Sequence, residues 1–180
     1  MKIAVLLVAL SALAAAGCGP EAPANAPSGG PSAGATNAAF SAPDFSLQTT
    51  DGRTVRLSDY LGKKVVLIDF WSTTCDPCMN EMPHLVDLYK AKKDKGFELL
   101  AISTDGPESL AEVNRVVHDK GMVFPVLLDQ ETTVVARYNP KKELPFWVLI
   151  DKTGRVIKKK GGYTSGDEQL VVREVEAALK

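Results

Sequence analysis

Cysteine and histidine are scarce in this chain, which has three of the first and two of the second in 180 residues. Too few ligands are present for a zinc site, which takes about four. Cys18 lies far from Cys75 and Cys78, and His84 and His118 are isolated, so no metal is expected. An excess of one charge is also lacking. The 21 basic and 22 acidic residues leave a net charge of −1, and nothing favours nucleic acid as a partner. The apolar run at the start, from Ile3 to Ala16, is shorter than the ~20 residues a membrane-spanning helix needs. There is no internal repeat. A hydrophobic share of 45% is ordinary for a globular protein, and the roughly 138 residues from Pro43 to Lys180 suit one domain with one core.

What the chain does have is Cys75-Asp76-Pro77-Cys78, directly after Val65-Val66-Leu67-Ile68-Asp69-Phe70-Trp71. That apolar, β-branched run reads as a buried strand. From Cys78 onward the pattern changes, with Cys78, Met82, Leu85 and Tyr89 recurring at helical spacing. The two thiols therefore lie where a strand ends and a helix begins, close enough to form one short disulfide. The helix N-terminus is aimed at the first sulfur and stabilises its thiolate. Such a pair reads as a redox centre, because as a structural crosslink it would close only a tiny loop and add little stability. Cys75 is expected to be the exposed nucleophile and Cys78, one turn in, the shielded resolving thiol of exchange through a mixed disulfide. Asp76 sets a negative charge beside Cys75, and no Lys, Arg or His lies between Trp71 and Cys78 to offset it. That opposes thiolate stabilisation and points to a reductant.

Two acids are candidate proton handlers. Asp69 lies inside the apolar strand, and Glu81 shares the helix face of Leu85 and Leu88. Carboxyls in such settings have raised pKa values and can relay protons to a buried thiol. The plainer alternatives are a strand-edge carboxylate and a first-turn glutamate favoured by the helix dipole.

The N-terminal part reads differently. Met1-Lys2 and the apolar run match a signal peptide, and Ala15-Ala16-Gly17-Cys18 resembles a bacterial lipobox. Residues 1–18 are expected to be a lipoprotein-type signal ending at a lipidated Cys18, with an ordinary cleaved signal peptide as the alternative. Residues 19–42 are rich in Pro, Ala, Gly and Ser and read as a disordered linker, with a reach of about 25–30 Å.

Along the domain, Phe45 to Leu57 reads as a hairpin turning at Asp51-Gly52. A helix opens at Cys75 or Asp76 and runs to about Lys93, with Pro83 expected to kink it. Phe97 to Ser103 reads as a strand. Pro107 starts a helix whose apolar face is Leu110, Val113 and Val117. Val123 to Leu128 reads as a strand and Thr132 to Tyr138 as a short helix. Trp147–Ile150 and Val156–Lys160 form a second hairpin, and Ser165 with Glu168 reads as a capping box for a last helix over Val171, Val175 and Ala178. The run Lys158-Lys159-Lys160 is expected to be solvated, and His84 and His118 to lie at the surface.

Asp69-Phe70-Trp71, Cys75-x-x-Cys78 and Pro83, with Leu144-Pro145 ahead of Phe146-Trp147-Val148-Leu149-Ile150-Asp151, together resemble the thioredoxin family. Glu81-Met82-Pro83, the Asp44-Phe45 start, the Gly52-Arg53 turn, Leu57-Ser58-Asp59 and the stretch between Leu99 and Pro145 are similar to the TlpA/ResA group within it. These are membrane-anchored thiol-disulfide oxidoreductases of the bacterial envelope. The resemblance covers Pro43 to Lys180. It implies an α/β, thioredoxin-like fold with an N-terminal hairpin, a central βα insertion and a mixed sheet flanked by helices.

The resemblance also implies that Asp69 and Glu81 are the carboxylates beneath the cysteines. It makes Pro145 a cis-proline that presents the Leu144 backbone to a substrate disulfide. With Trp71 packed against the active-site loop and Thr74 in the groove, Trp71, Thr74, Leu144 and Pro145 are the candidate substrate-binding residues. The chain departs from the group at Thr74, where Trp is common, and at Phe146, where Thr is common. No cofactor is implied. The implied partners are disulfides or thiols of envelope proteins, among them the CxxCH motif of apocytochrome c, and a membrane thiol-disulfide electron donor. The protein would be a monomer held to the membrane by lipid on Cys18, with its domain in the extracytoplasmic space. Two rival activities stand beside this one. Thr73 and Thr74 near Cys75 hint at a peroxiredoxin-like thiol peroxidase, although such enzymes usually carry Thr where this chain has Ser72. A copper-binding chaperone would use Cys75, Cys78, Met79 or Met82 as soft ligands.

Overall fold

The computed structural model describes residues 41–180. The expected signal peptide, the lipidated Cys18 and most of the linker lie outside the described residues. The chain is already engaged at Ser41, which pairs with Arg155, and at Ala42, whose N–H donates to Gly154 O at 2.9 Å. The folded part thus begins at least two residues before Pro43.

Among the described residues, seven strands form one mixed sheet. They are β1 (Ser46–Thr49), β2 (Thr54–Arg56), β3 (Val65–Trp71), β4 (Phe97–Ser103), β5 (Val126–Leu128), β6 (Phe146–Ile150) and β7 (Val156–Gly161). Their order is β2-β1-β5-β4-β3-β6-β7, with β3, β4 and β5 parallel and the remaining pairs antiparallel. Central β3 and β4 are buried along their whole length, which explains their nearly unbroken apolar sequences.

Alternation along β3 assigns the two faces. Val65, Leu67 and Trp71 pack with α1 (Asp76–Lys92), α2 (Leu110–Asp119) and α4 (Asp167–Ala178). Val66, Ile68 and Phe70 pack on the other side with Phe45, Leu57 and α3 (Thr133–Tyr138). The result is a layered α/β domain with helices on both faces. Helix α1 continues through Pro83.

Three local expectations are corrected. Strand β5 starts at Val126, because Pro125 has no N–H for a ladder and Val123 is 57% exposed. On α2 the buried positions are Val113 and Val116, while Leu110 sits at the exposed helix start. Ser165 does not cap α4. Gly166 takes the N-cap position at φ +103°, and the carboxylates of Asp167 and Glu168 instead accept from the N–H groups of Thr164 and Gly166.

Candidate active site

Strand β3 delivers the chain to the site and α1 carries it away. Cys75 is the N-cap of α1 in extended conformation, and its Sγ accepts the N–H of Cys78 at 3.2 Å. That bond satisfies one of the donors a helix N-terminus leaves unpaired. Pro77 falls in the first turn, where a missing N–H costs nothing. Cys75 and Cys78 are joined by a disulfide, their Cα atoms 5.3 Å apart. Cys75 is half-buried, whereas Cys78 is 1% exposed and belongs to the core beside Trp71 and Met82. Reagents therefore meet the first sulfur before the second.

The loop from Ser72 to Thr74 is clamped from the neighbouring strand end. Asp105 accepts from the Thr73 N–H at 3.0 Å, the Thr73 hydroxyl at 2.7 Å and the Ser103 hydroxyl at 2.8 Å. Thr104 N–H donates to Trp71 O at 2.9 Å. Charge-assisted bonds of this kind are the stronger ones, so the backbone ahead of Cys75 is held firmly. Asp105 and Ser103 were not among the residues expected to act here. Their one sequence signal is position, since Ser103-Thr104-Asp105 ends the parallel strand next to β3.

Asp69 and Glu81 are both buried, at 1% and 2% exposure. Asp69 lies on the β3 face covered by α1 and α4, between Leu67 and Trp71. Its Oδ1 and the Oε2 of Glu81 have no hydrogen-bond partner among the described residues. Burial, and then the charge of Glu81, push the Asp69 carboxyl well above the ordinary carboxylate range. Burial pushes Glu81 up to about 7, with Lys160 opposing the rise and Asp167 adding to it. These are two acids that hold protons near neutrality in the same packed layer as Cys78.

The remaining expected residues separate. The Leu144–Pro145 peptide is cis, and Pro145 is buried with Leu144 half-buried. Phe146 pairs with Phe70 near the end of β3, so Leu144 and Pro145 lie at the sheet end from which the Cys75 loop leaves. Pro145 O accepts the N–H of Gly162 at 2.8 Å. Thr74 is exposed. Trp71 is corrected as a substrate contact. It is 0% exposed, has no surface to offer, and packs beneath the site with Cys78. His84 and His118 are exposed, and His84 stacks on Tyr163 with ring centroids 6.4 Å apart.

Two distant lysines approach the site that local sequence did not supply. Lys120 Nζ donates to Met79 O at 3.1 Å, reaching the first turns of α1. Lys160 pairs with Asp167 at 2.7 Å and is only 21% exposed. The expectation of a solvated lysine run is therefore corrected for Lys160, which strand alternation turns inward beneath α4.

Fold and site together define a thioredoxin-fold protein with a CxxC pair at a helix N-terminus. Residues 39–159 match the AhpC/TSA family. The chain belongs to that family and is a ResA-like member of the thioredoxin fold. It is 40% identical to thiol-disulfide oxidoreductase ResA of Geobacillus thermodenitrificans (strain NG80-2) over 118 residues, covering 66% of each chain. It is 36% identical to ResA of Halalkalibacterium halodurans over 143 residues, covering 79% of this chain and 77% of that one. The match to the Geobacillus protein thus spans just under two thirds of its length. Among solved structures, a thiol:disulfide interchange protein of the thioredoxin family from Chlorobium tepidum TLS superposes with a TM-score of 0.68 at 27% identity. The superposition covers 78% of this chain and 97% of that one.

Proposed function

We propose that the protein is a thiol-disulfide oxidoreductase that reduces disulfides of envelope proteins. The observation that carries this reading is the asymmetry of the pair, with a half-buried Cys75 at the N-cap of α1 and a fully buried Cys78 behind it. In the dithiol form the Cys75 thiolate attacks one sulfur of a substrate disulfide. An S–S bond forms to Cys75, and the first substrate sulfur leaves as thiolate. Cys78 then loses its proton and attacks Cys75 Sγ, closing the Cys75–Cys78 disulfide and expelling the second substrate sulfur. Two electrons and two protons pass to the substrate. The proton of Cys78 goes to a neighbouring base; the ionised form of buried Glu81, one helical turn beyond Cys78, is the candidate acceptor, and Asp69, which keeps its proton, is the candidate donor in the reverse direction.

The direction of exchange follows from charge. Asp76 is exposed in the first turn beside Cys75, which disfavours the thiolate and so favours giving electrons away. Lys120 bonds to Met79 O rather than to a sulfur. A membrane dithiol donor would return the protein to its reduced form. Lipid on Cys18 and the linker would hold the domain at the extracytoplasmic face, where CxxCH segments of apocytochrome c are candidate substrates. The Leu144–Pro145 backbone and exposed Thr74 would line the docking surface.

The test is to mix the reduced full-length protein with an oxidised CxxCH peptide and, separately, with hydrogen peroxide. The expected result is loss of the peptide disulfide with matching formation of Cys75–Cys78. Faster oxidation by peroxide than by peptide would replace this reading with the peroxidase.

A further inference from the structure

Asp69 of β3 is in register with Trp147 of β6, and Trp147 with Lys160 of β7. Residues in register on adjacent strands share a sheet face. Asp69, Trp147 and Lys160 therefore form one row across the face covered by α1 and α4, the face that also holds Cys78. Lys160 is anchored at the end of this row. Its Nζ donates to Gly162 O at 2.9 Å and to Asp167 Oδ2 at 2.7 Å, the latter on the first residue of α4. Glu81 enters the same region from α1, 2% exposed and with an oxygen that has no hydrogen-bond partner among the described residues.

A buried carboxylate in that position needs a counter-charge to ionise at all. The groups that face it can be named element by element. Asp69 acts on it from β3, Lys160 from β7, Tyr163 from the β7–α4 connection and Asp167 from α4, and buried Cys78 lies one turn before it on its own helix. His84, one turn along α1, is turned to Tyr163 and Glu168. Among these described groups, Lys160 alone carries a fixed positive charge. It makes no hydrogen bond to Glu81, so it acts through space, and Asp167 both holds it in place and offsets part of its charge.

We propose that Lys160 is a positioning residue that lets Glu81 ionise beneath the Cys75–Cys78 pair, and that the Lys160–Asp167 ion pair thereby sets the pH range of exchange. The second clause rests on the exchange reading above, whereas the first rests on the row across β3, β6 and β7, the anchored Lys160 and the buried face of α1, with the opposing charges of Lys160 and Asp167 in support. The two partners have opposite effects. Loss of the lysine leaves Glu81 among Asp69, Asp167 and the sulfurs, and ionisation becomes harder. Loss of the Asp167 charge leaves the lysine unopposed, and ionisation becomes easier. A residue that served only to pin α4 to β7 would give no such reversal of sign.

The experiment is a 13C NMR titration of the Glu81 side-chain carboxyl in the oxidised full-length protein, assigned with Glu81→Gln. Lys160→Met, Lys160→Arg and Asp167→Asn are compared with wild type, and Cys75 alkylation is then followed against pH in the reduced forms. The Glu81 midpoint is expected to rise by about one pH unit in Lys160→Met. It should stay near wild type in Lys160→Arg and fall in Asp167→Asn. The alkylation profiles should move in the same order. An unchanged or lowered midpoint in Lys160→Met overturns the proposal. If Lys160→Met does not fold, a midpoint in Asp167→Asn at or above wild type overturns it equally. Carboxyl midpoints that move as expected while peptide disulfides are not reduced would keep the role of Lys160 and remove the exchange reading.

Discussion

Replacing Glu81 by glutamine takes one ionisable group out of the interior, and its effect on stability has a definite sign. In the folded protein Glu81 titrates at about 7, against 4.5 for a free glutamate. Its folded pKa is raised, so between those values the folded state keeps a proton that the unfolded chain has released. Stability therefore falls as pH rises from about 4.5 to about 7 and levels off above. The gap of about 2.5 pH units, at 1.36 kcal/mol each, amounts to roughly 3 kcal/mol at alkaline pH. Asp69 is shifted in the same direction and steepens the decline. Glutamine resembles the protonated acid in shape and cannot ionise. Glu81→Gln is thus expected to match wild type near pH 4.5 and to exceed it by about 3 kcal/mol at pH 8. Urea unfolding of the oxidised proteins at a series of pH values measures this. A difference between the two that does not vary with pH would show that Glu81 ionises as it does in water, and the account of a buried, unpartnered carboxyl would fail.

Other outcomes follow from the same geometry. Asp105→Ala leaves the Thr73 N–H and the Ser103 hydroxyl without their acceptor and is expected to cost about 2 kcal/mol, measured by urea unfolding at pH 7. Serine at Cys75 should abolish reduction of a peptide disulfide. In the reduced wild type, alkylation should label half-buried Cys75 before buried Cys78, and mass spectrometry of timed samples would show the reverse order if the roles are exchanged. Mass spectrometry of the mature N-terminus should find a lipidated Cys18, and a free N-terminus elsewhere on a released protein would remove the membrane tether.

The parts of this molecule legible in one dimension are those whose signal is local. The run from Val65 to Trp71 is apolar because β3 is covered on both faces, and the change of period at Cys78 marks the start of α1. Those two facts locate the cysteines and their unequal exposure. Asp69 and Glu81 were legible from their apolar strand and helix settings, and the resemblance added Pro145, which is far from the cysteines in sequence. What stayed hidden depends on register and tertiary approach. Lys160 sits in a run of three lysines, and only the row Asp69–Trp147–Lys160 across three strands separates it from its neighbours. Asp105 reads as a loop residue until β4 lies beside β3. The resemblance set Trp71 among the substrate-binding residues, but the inward face of the strand buries it. Ser165 had the spacing of a cap, and the left-handed Gly166 placed the helix start beyond its reach.

The measurement that bears most directly on the central claim is a mixed-disulfide trap. The reduced Cys78→Ser protein, full length, is mixed with an oxidised CxxCH peptide, and its adducts are mapped by mass spectrometry. The account predicts a stable adduct of one peptide on Cys75, absent from the Cys75→Ser protein and transient in wild type, where Cys78 resolves it. No adduct on Cys75, or an equal yield in the Cys75→Ser protein, would contradict it.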